Sequence, residues 1–324
     1  MSANAAELFS MNRTALVAGV ALLLVATAAP LPAEVGVRFF FAGDGRLVLR
    51  HGHFSTEMNL RYRHRDGTYD AAAMAQIEHF FRSREDGRTA PISLRLVELL
   101  AYVQSHYRPR RMVLLSGYRS PRFNEDLRNA GRAAAQMSLH TEGMAADVMF
   151  AGLDMGLLWR QLRELGVGGV GYYRRNKFLH IDTGPARFWE ATTSRVQENL
   201  SADNARVFLR TDFDRYARLQ GAICTLHSVT AFPVLVSARA LLVGPDGSRG
   251  LTLQPTSGAA PTPDGCFAVE APLQTHAFRV TAVDPALLNT TTAAAAHIVI
   301  STCEPRLGKT AVELQSNRIT LSGE

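Results

Sequence analysis

Apolar residues recur at helical spacing in four stretches of the chain, and alternate or run together in short blocks over most of the rest. From Asp70, "DAAAMAQIEHFF" places Met74, Ile77, Phe80 and Phe81 along one side of a helix that Asp70 caps and Gly87 closes. Ser93 to His106 repeats the pattern with Leu94, Val97, Leu100 and Val103. "PRFNEDLRNAG" starts a helix at Pro121 and ends it at Gly131, and "MGLLWRQLRELG" ends one at Gly166. The blocks "RMVLLSG", "AADVMFA", "GGVGYY" and "KFLHIDTG" read as strands, and "VRFFFAGDGRLVLRHGHF" as two short strands around the turn "GDG".

Helices and strands do not alternate in a clean βαβ series, so residues 36–192 are expected to form an α+β domain. A polar stretch, 193–205, serves as linker. Beyond it, residues 206–324 turn to strands separated by Gly and Pro turns, the texture of an all-β, sandwich-like domain. Residues 1–33 read as an address: one arginine, an apolar run from Ala15 to Ala29, then small residues that allow cleavage after Ala28 or Ala33. Left uncleaved, the same run becomes an anchor, the only route by which the pattern suggests membrane contact. Either way the protein is expected to be exported to the periplasm or cell envelope.

A chain of 324 residues with 47% hydrophobic and 20% charged positions is long enough for two folded domains and is neither disordered nor collagen-like. Its formal charge of +6 admits nucleic acid, an anionic membrane surface or an acidic polymer as partner. Export argues against nucleic acid and leaves an envelope polymer or a membrane surface. Cys224, Cys266 and Cys303 allow one disulfide and a leftover thiol, or three small buried apolar residues. No C-x-x-C pair is present, so a cysteine zinc site has no support.

Histidines and carboxylates offer more. "SLHTEGMAADVMFA" holds His140 and Asp147. In one continuous helix they would stand about 10.5 Å apart along the axis, too far to share an ion. If the chain turns at Gly143 and Asp147 lies on a strand, they can meet. "FLHIDTG" adds His180, with Asp182 on the same strand face. Two histidines and an aspartate match the three protein ligands of a catalytic zinc that keeps its fourth position open. Read singly, each histidine is better taken as a hydrogen-bonded core residue. His51 and His53 share a strand face but lack a third partner.

"SGYRSPRFNEDLR" (116–128), "SLHTEGMAADV" (138–148) and "GVGYYRRNKFLHIDTGPARFW" (from Gly169) together resemble the YcbK-like branch of the zinc D-alanyl-D-alanine carboxypeptidase and murein endopeptidase family. "RYRHRDGTYDAAAMAQIEHFFR" is similar to that branch's N-terminal region, so the resemblance spans about residues 36–192. It implies a hedgehog-type α+β fold around an antiparallel sheet, with zinc (Zn2+) held by His140, Asp147 and His180. It also implies substrate contact by Arg119, with Ser138 assisting, and peptidoglycan stem peptides as substrate. The implied reaction is endopeptidase cleavage of cross-links. Two alternatives stand beside it: a D,D-carboxypeptidase that trims stem peptides, and a zinc-containing wall-binding module without activity. Where many relatives carry an acid three residues before the last histidine, this chain has Lys177. Asp182 is then the candidate catalytic residue, as proton acceptor or as orienting partner of His180, with Glu142 a weaker candidate.

Overall fold

Seven strands between Arg46 and Glu190 build one sheet: β1 (Arg46–His51), β2 (Glu57–Arg61), β3 (Arg111–Ser116), β4 (Ala145–Ala151), β5 (Gly169–Tyr173), β6 (Phe178–Asp182) and β7 (Arg187–Glu190). The computed structural model describes residues 37–131, 138–193, 207–228, 233–257, 261–269, 274–282, 292–303 and 313–321. The expected signal segment, 1–33, lies outside them, as does the expected linker except Thr193. Strand order is β2-β1-β3-β4-β6-β5-β7. Its middle, β3-β4-β6-β5, is antiparallel, but β1 runs parallel to β3 and β7 parallel to β5, so the sheet is mixed.

Helices α1 (Ala71–Phe80), α2 (Leu94–Tyr107), α3 (Pro121–Asn129) and α4 (Met155–Leu165) accompany this sheet. Local chemistry explains their ends. Asp70 accepts from Ala73 N at 2.8 Å, and Ser120 accepts from Phe123 N at 3.1 Å with Pro121 in the first turn. Gly166 closes α4 with a φ of 64°, which a side chain would disfavour. The first helix stops well before Gly87: Phe81 turns into the core, and its carbonyl accepts from Tyr118 N at 2.8 Å. The second helix is buried on more than one stripe, with Leu96, Val97, Leu99, Leu100 and Ala101 all covered. Glu98 lies among them without any exposure, offset by Arg63 Nε at 2.6 Å, the hydroxyls of Tyr62 and Tyr69 at 2.8 and 3.0 Å, and Gly43 N at 3.2 Å.

The N-terminal hairpin differs from expectation. Residues 37–45 form no strand, and β1 pairs instead with β2, Arg46 opposite Arg61. Their apolar residues have another destination: Phe39 is buried against Phe213, with ring centroids 5.5 Å apart, and Arg38 O accepts from the Asp214 and Arg215 amides.

Ten further strands build a second sheet: β8 (Val207–Thr211), β9 (Arg215–Tyr216), β10 (Ile223–Ser228), β11 (Val234–Gly244), β12 (Gly247–Pro255), β13 (Cys266–Val269), β14 (Gln274–Ala282), β15 (Thr292–Thr302), β16 (Glu313–Gln315) and β17 (Ile319–Leu321). This β-rich region surrounds a core of its own, including Leu226, Val236, Val280, Ile298 and Ile300. Cys266 and Cys303 form a disulfide, while Cys224 is a buried thiol in that core. Residues 34–324 nonetheless make one compact unit. Arg95 of α2 forms a partly buried ion pair with Asp214 and donates to Thr211 O at 3.1 Å. Asp214 also accepts from Phe40 N at 3.0 Å and Asn317 Nδ2 at 2.9 Å.

Candidate metal centre

β4 and β6 lie side by side in the middle of the first sheet, and their register sets Asp147 directly opposite His180. Because alternate residues of a strand share a face, Asp182 stands on the same side as His180, opposite Ala145. The third member arrives from outside the sheet. Ser138 caps a single 3-10 turn, Leu139–Glu142, its Oγ accepting from His140 N at 3.4 Å. Gly143 ends that turn at φ 64°, where an added Cβ would come within 2.1 Å of Pro91 O, so the reversal into β4 needs glycine.

The loop after β3 supplies the frame. Gly117 O accepts from His140 Nδ1 at 2.7 Å, and Arg119 N donates to His140 O at 3.1 Å. The Arg119 guanidinium pairs with Asp147 Oδ2 and donates through Nε to Ser116 Oγ at 2.9 Å. On the other side, His180 Nε2 donates to Asp182 Oδ2 at 2.9 Å. Asp182 is wholly buried and heavily engaged: Gly169 N and Gly184 N reach Oδ1 at 3.0 and 2.9 Å, and Arg187 contacts both oxygens at 3.0 and 2.6 Å. Trp189 packs over His180, centroid to centroid 5.1 Å. Gly171, opposite His180, leaves room for it, since a Cβ there would meet the indole at 2.4 Å.

With one nitrogen of each imidazole committed to an oxygen acceptor, the remaining nitrogens carry lone pairs. These are His140 Nε2 and His180 Nδ1, and they converge with Asp147 Oδ1. The three separations are 3.2 Å between the nitrogens, 3.0 Å from His180 and 3.3 Å from His140 to the carboxylate oxygen. Ligands about 2.0–2.1 Å from a tetrahedral zinc stand about 3.3–3.4 Å apart, so this triangle has nearly the size of one face of that tetrahedron. Three acceptors with no donor among them repel one another unless a cation joins them. The donor set therefore fits a divalent ion.

The family model described as peptidoglycan L,D-endopeptidase MepK matches residues 42–189. A protein named peptidoglycan L,D-endopeptidase MepK from Escherichia coli strain K12 is 34% identical over 183 residues, which cover 56% of this chain and 98% of that protein. The protein of the same name from Shigella flexneri matches to the same extent. A probable peptidoglycan L,D-endopeptidase MepK from Haemophilus influenzae is 28% identical over 124 residues, 38% of this chain and 67% of its own length. The chain belongs to the MepK family.

Electrostatics in this MepK-family centre prepare His140 and Asp147 as ligands, while an ion must compete with a proton at His180. Burial, helped by the Arg119 cation, pushes His140 down to about 4, so it is neutral at pH 7. Burial alone would raise Asp147, but His140 and Arg119 hold it well below the usual carboxylate range. His180 is raised despite its burial, because Asp147 and Asp182 both favour its proton. Asp182, against its burial, is held below the usual range by Arg187 and His180.

Most of the candidates from the sequence lie at or beside this centre. His140, Asp147 and His180 form the triangle; Arg119 and Ser138 contact its ligands or the turn that carries them. Glu142 faces elsewhere, accepting from Thr275 Oγ1 at 3.3 Å. His51 is separate too, its Nδ1 accepting from the amides of His53 and Phe54 at 3.1 and 3.3 Å. Sequence reasoning missed Gly117, whose part is played by a carbonyl, and Arg187, which only the fold brings back onto Asp182.

Proposed function

We propose that this chain is an exported, zinc-dependent L,D-endopeptidase that hydrolyses peptide cross-links of peptidoglycan. In this reading zinc is held by His140 Nε2, Asp147 Oδ1 and His180 Nδ1. The carrying observation is the triangle of three donor atoms 3.0–3.3 Å apart. Family membership supplies the substrate class, since the matched relatives are named peptidoglycan L,D-endopeptidases. Residues 36–192 are read as a hedgehog-type peptidase domain, 193–205 as linker, 206–324 as a sandwich-like module and 1–33 as export signal or anchor. Among the described residues no helix is long and apolar enough to cross a membrane.

Bound there, zinc supplies a Lewis acid that polarises the scissile carbonyl and activates water for attack. The chain's residues prepare that chemistry. Gly117 O and Asp182 keep the two imidazoles in the tautomers whose lone pairs face the ion. Arg119 holds one oxygen of Asp147, leaving the other for the metal, which assigns it a positioning role before any contact with substrate. Ser138 caps the turn that presents His140. Asp182 has its lone pairs taken by His180, Arg187 and two amides, so it orients His180 better than it could accept a proton from water.

Two observations favour a second reading, a zinc-containing wall-binding module without activity: Lys177 stands in the usual acid's position, and Asp182 is saturated. Incubating zinc-loaded protein with purified cross-linked muropeptide dimers separates the two. Cleavage to monomers is expected, lost on chelation and regained with zinc. Intact dimers after prolonged incubation, with retained binding, would establish the module instead.

A further inference from the structure

β8 lies beyond the span 42–189 that the family model matches, yet it reaches the metal centre. Its sequence, "VFLRT", alternates. Val207 and Leu209 enter the core of the second sheet, while Phe208 and Arg210 share the opposite face. Phe208 is buried in one cluster with Leu139, Met144 and Ala145, the residues that flank the His140 turn and open β4. Arg210 Nη2 donates to Gly184 O. Gly184 N in turn donates to Asp182 Oδ1 at 2.9 Å, and Asp182 Oδ2 accepts from His180 Nε2 at 2.9 Å.

The contact continues across neighbouring strands. His227 of β10 sits opposite Phe208 and stacks on it, centroids 4.9 Å apart at 16°, and Thr275 of β14 sits opposite His227. Thr275 Oγ1 donates to Glu142 Oε2 at 3.3 Å, at the end of the His140 turn. One row of side chains on the second sheet therefore lies along the segment that carries His140, and Arg210 grips the loop that follows Asp182. These two segments also touch each other, since a Cβ on Gly184 would come within 2.6 Å of Leu139 Cδ1.

We infer that the C-terminal β-region is a positioning half of the metal centre, with Arg210 acting on His180 through Gly184 and Asp182, and Thr275 acting on the His140 turn through Glu142. This deepens the zinc-peptidase reading and rests on it. A surface that merely tethered the enzyme to the wall would not need to hold both ligand-bearing segments. Arg210 contacts neither the ion's ligands nor the reacting atoms, so its role is positioning.

The test uses the full chain and three variants, Arg210→Met, Arg210→Lys and Thr275→Val. Zinc affinity is read by competition with a chromophoric chelator, kcat and KM on muropeptide dimers, and amide exchange over residues 138–145 by mass spectrometry. Arg210→Met is expected to weaken zinc binding and lower kcat by about 10-fold each with KM within about 2-fold of wild type, the low end of what losing a ligand's direct outer partner costs, because Arg210 acts through Gly184 and Asp182. The lysine variant, which keeps a donor for Gly184 O, should recover most of that loss. Thr275→Val, a change at an exposed strand position, should speed exchange in 138–145. A folded Arg210→Met with wild-type zinc affinity and kcat would overturn the inference. If Arg210→Met does not fold, the Thr275→Val exchange decides alone: wild-type exchange overturns the inference, and faster exchange supports it. Wild-type protein that binds no zinc would instead overturn the metal-centre reading beneath it.

Discussion

Asp147→Ala is expected to abolish zinc binding and to lower kcat/KM by at least about 10³-fold, because a metal's several kcal/mol of transition-state stabilisation disappear with its ligand. The same change removes the partner of Arg119, a residue only 8% exposed. A buried charge stripped of its counter-ion destabilises a fold by about 3–5 kcal/mol, so the variant should also unfold at clearly lower denaturant. The two losses separate in a double variant. Adding Arg119→Met to Asp147→Ala should restore part of the stability, since no buried cation is then left alone, but none of the zinc. Metal content by mass spectrometry and denaturant titration measure both. Zinc retained at full stoichiometry in Asp147→Ala would remove this residue from the ligand set.

Asp182→Asn should weaken zinc binding or activity by about 10- to 100-fold, the usual cost of losing a ligating histidine's carboxylate partner. The asparagine side chain has one oxygen where Asp182 uses two to receive His180, Arg187 and the amides of Gly169 and Gly184. His180 would then be less firmly held with Nδ1 toward the ion. A general base predicts a different pattern: kcat falls about 10²- to 10⁴-fold while metal affinity stays put, and the acid limb of the pH profile disappears. Zinc affinity and the pH dependence of kcat, measured on the same preparation, tell them apart. The geometry calls for weaker zinc with the limb retained.

Those residues were legible because strand and turn patterns place them. Asp147 and His180 lie in the short apolar runs that became β4 and β6, and a period of two puts Asp182 beside His180 without further information. Gly143 marked the reversal that brings His140 back, and its positive φ and contact with Pro91 explain why glycine stands there. What escaped the pattern depends on distant chain. Nothing in the local pattern marks Glu98 as buried, because its partners Arg63, Tyr62 and Tyr69 come from distant chain. The apolar run 37–42 looks like a hairpin strand, but its Phe39 packs against Phe213. Arg210 sits in an ordinary alternating strand, and only the packing of the two regions aims it at Gly184. Backbone partners such as Gly117 O leave no mark in residue chemistry at all.

Anomalous scattering at the zinc edge, recorded from crystals grown with stoichiometric zinc, tests the central claim most directly. The expected result is a single strong peak about 2.0–2.2 Å from His140 Nε2, Asp147 Oδ1 and His180 Nδ1. A peak elsewhere on the chain, or none at the triangle in a preparation that still cleaves muropeptide dimers, would contradict it.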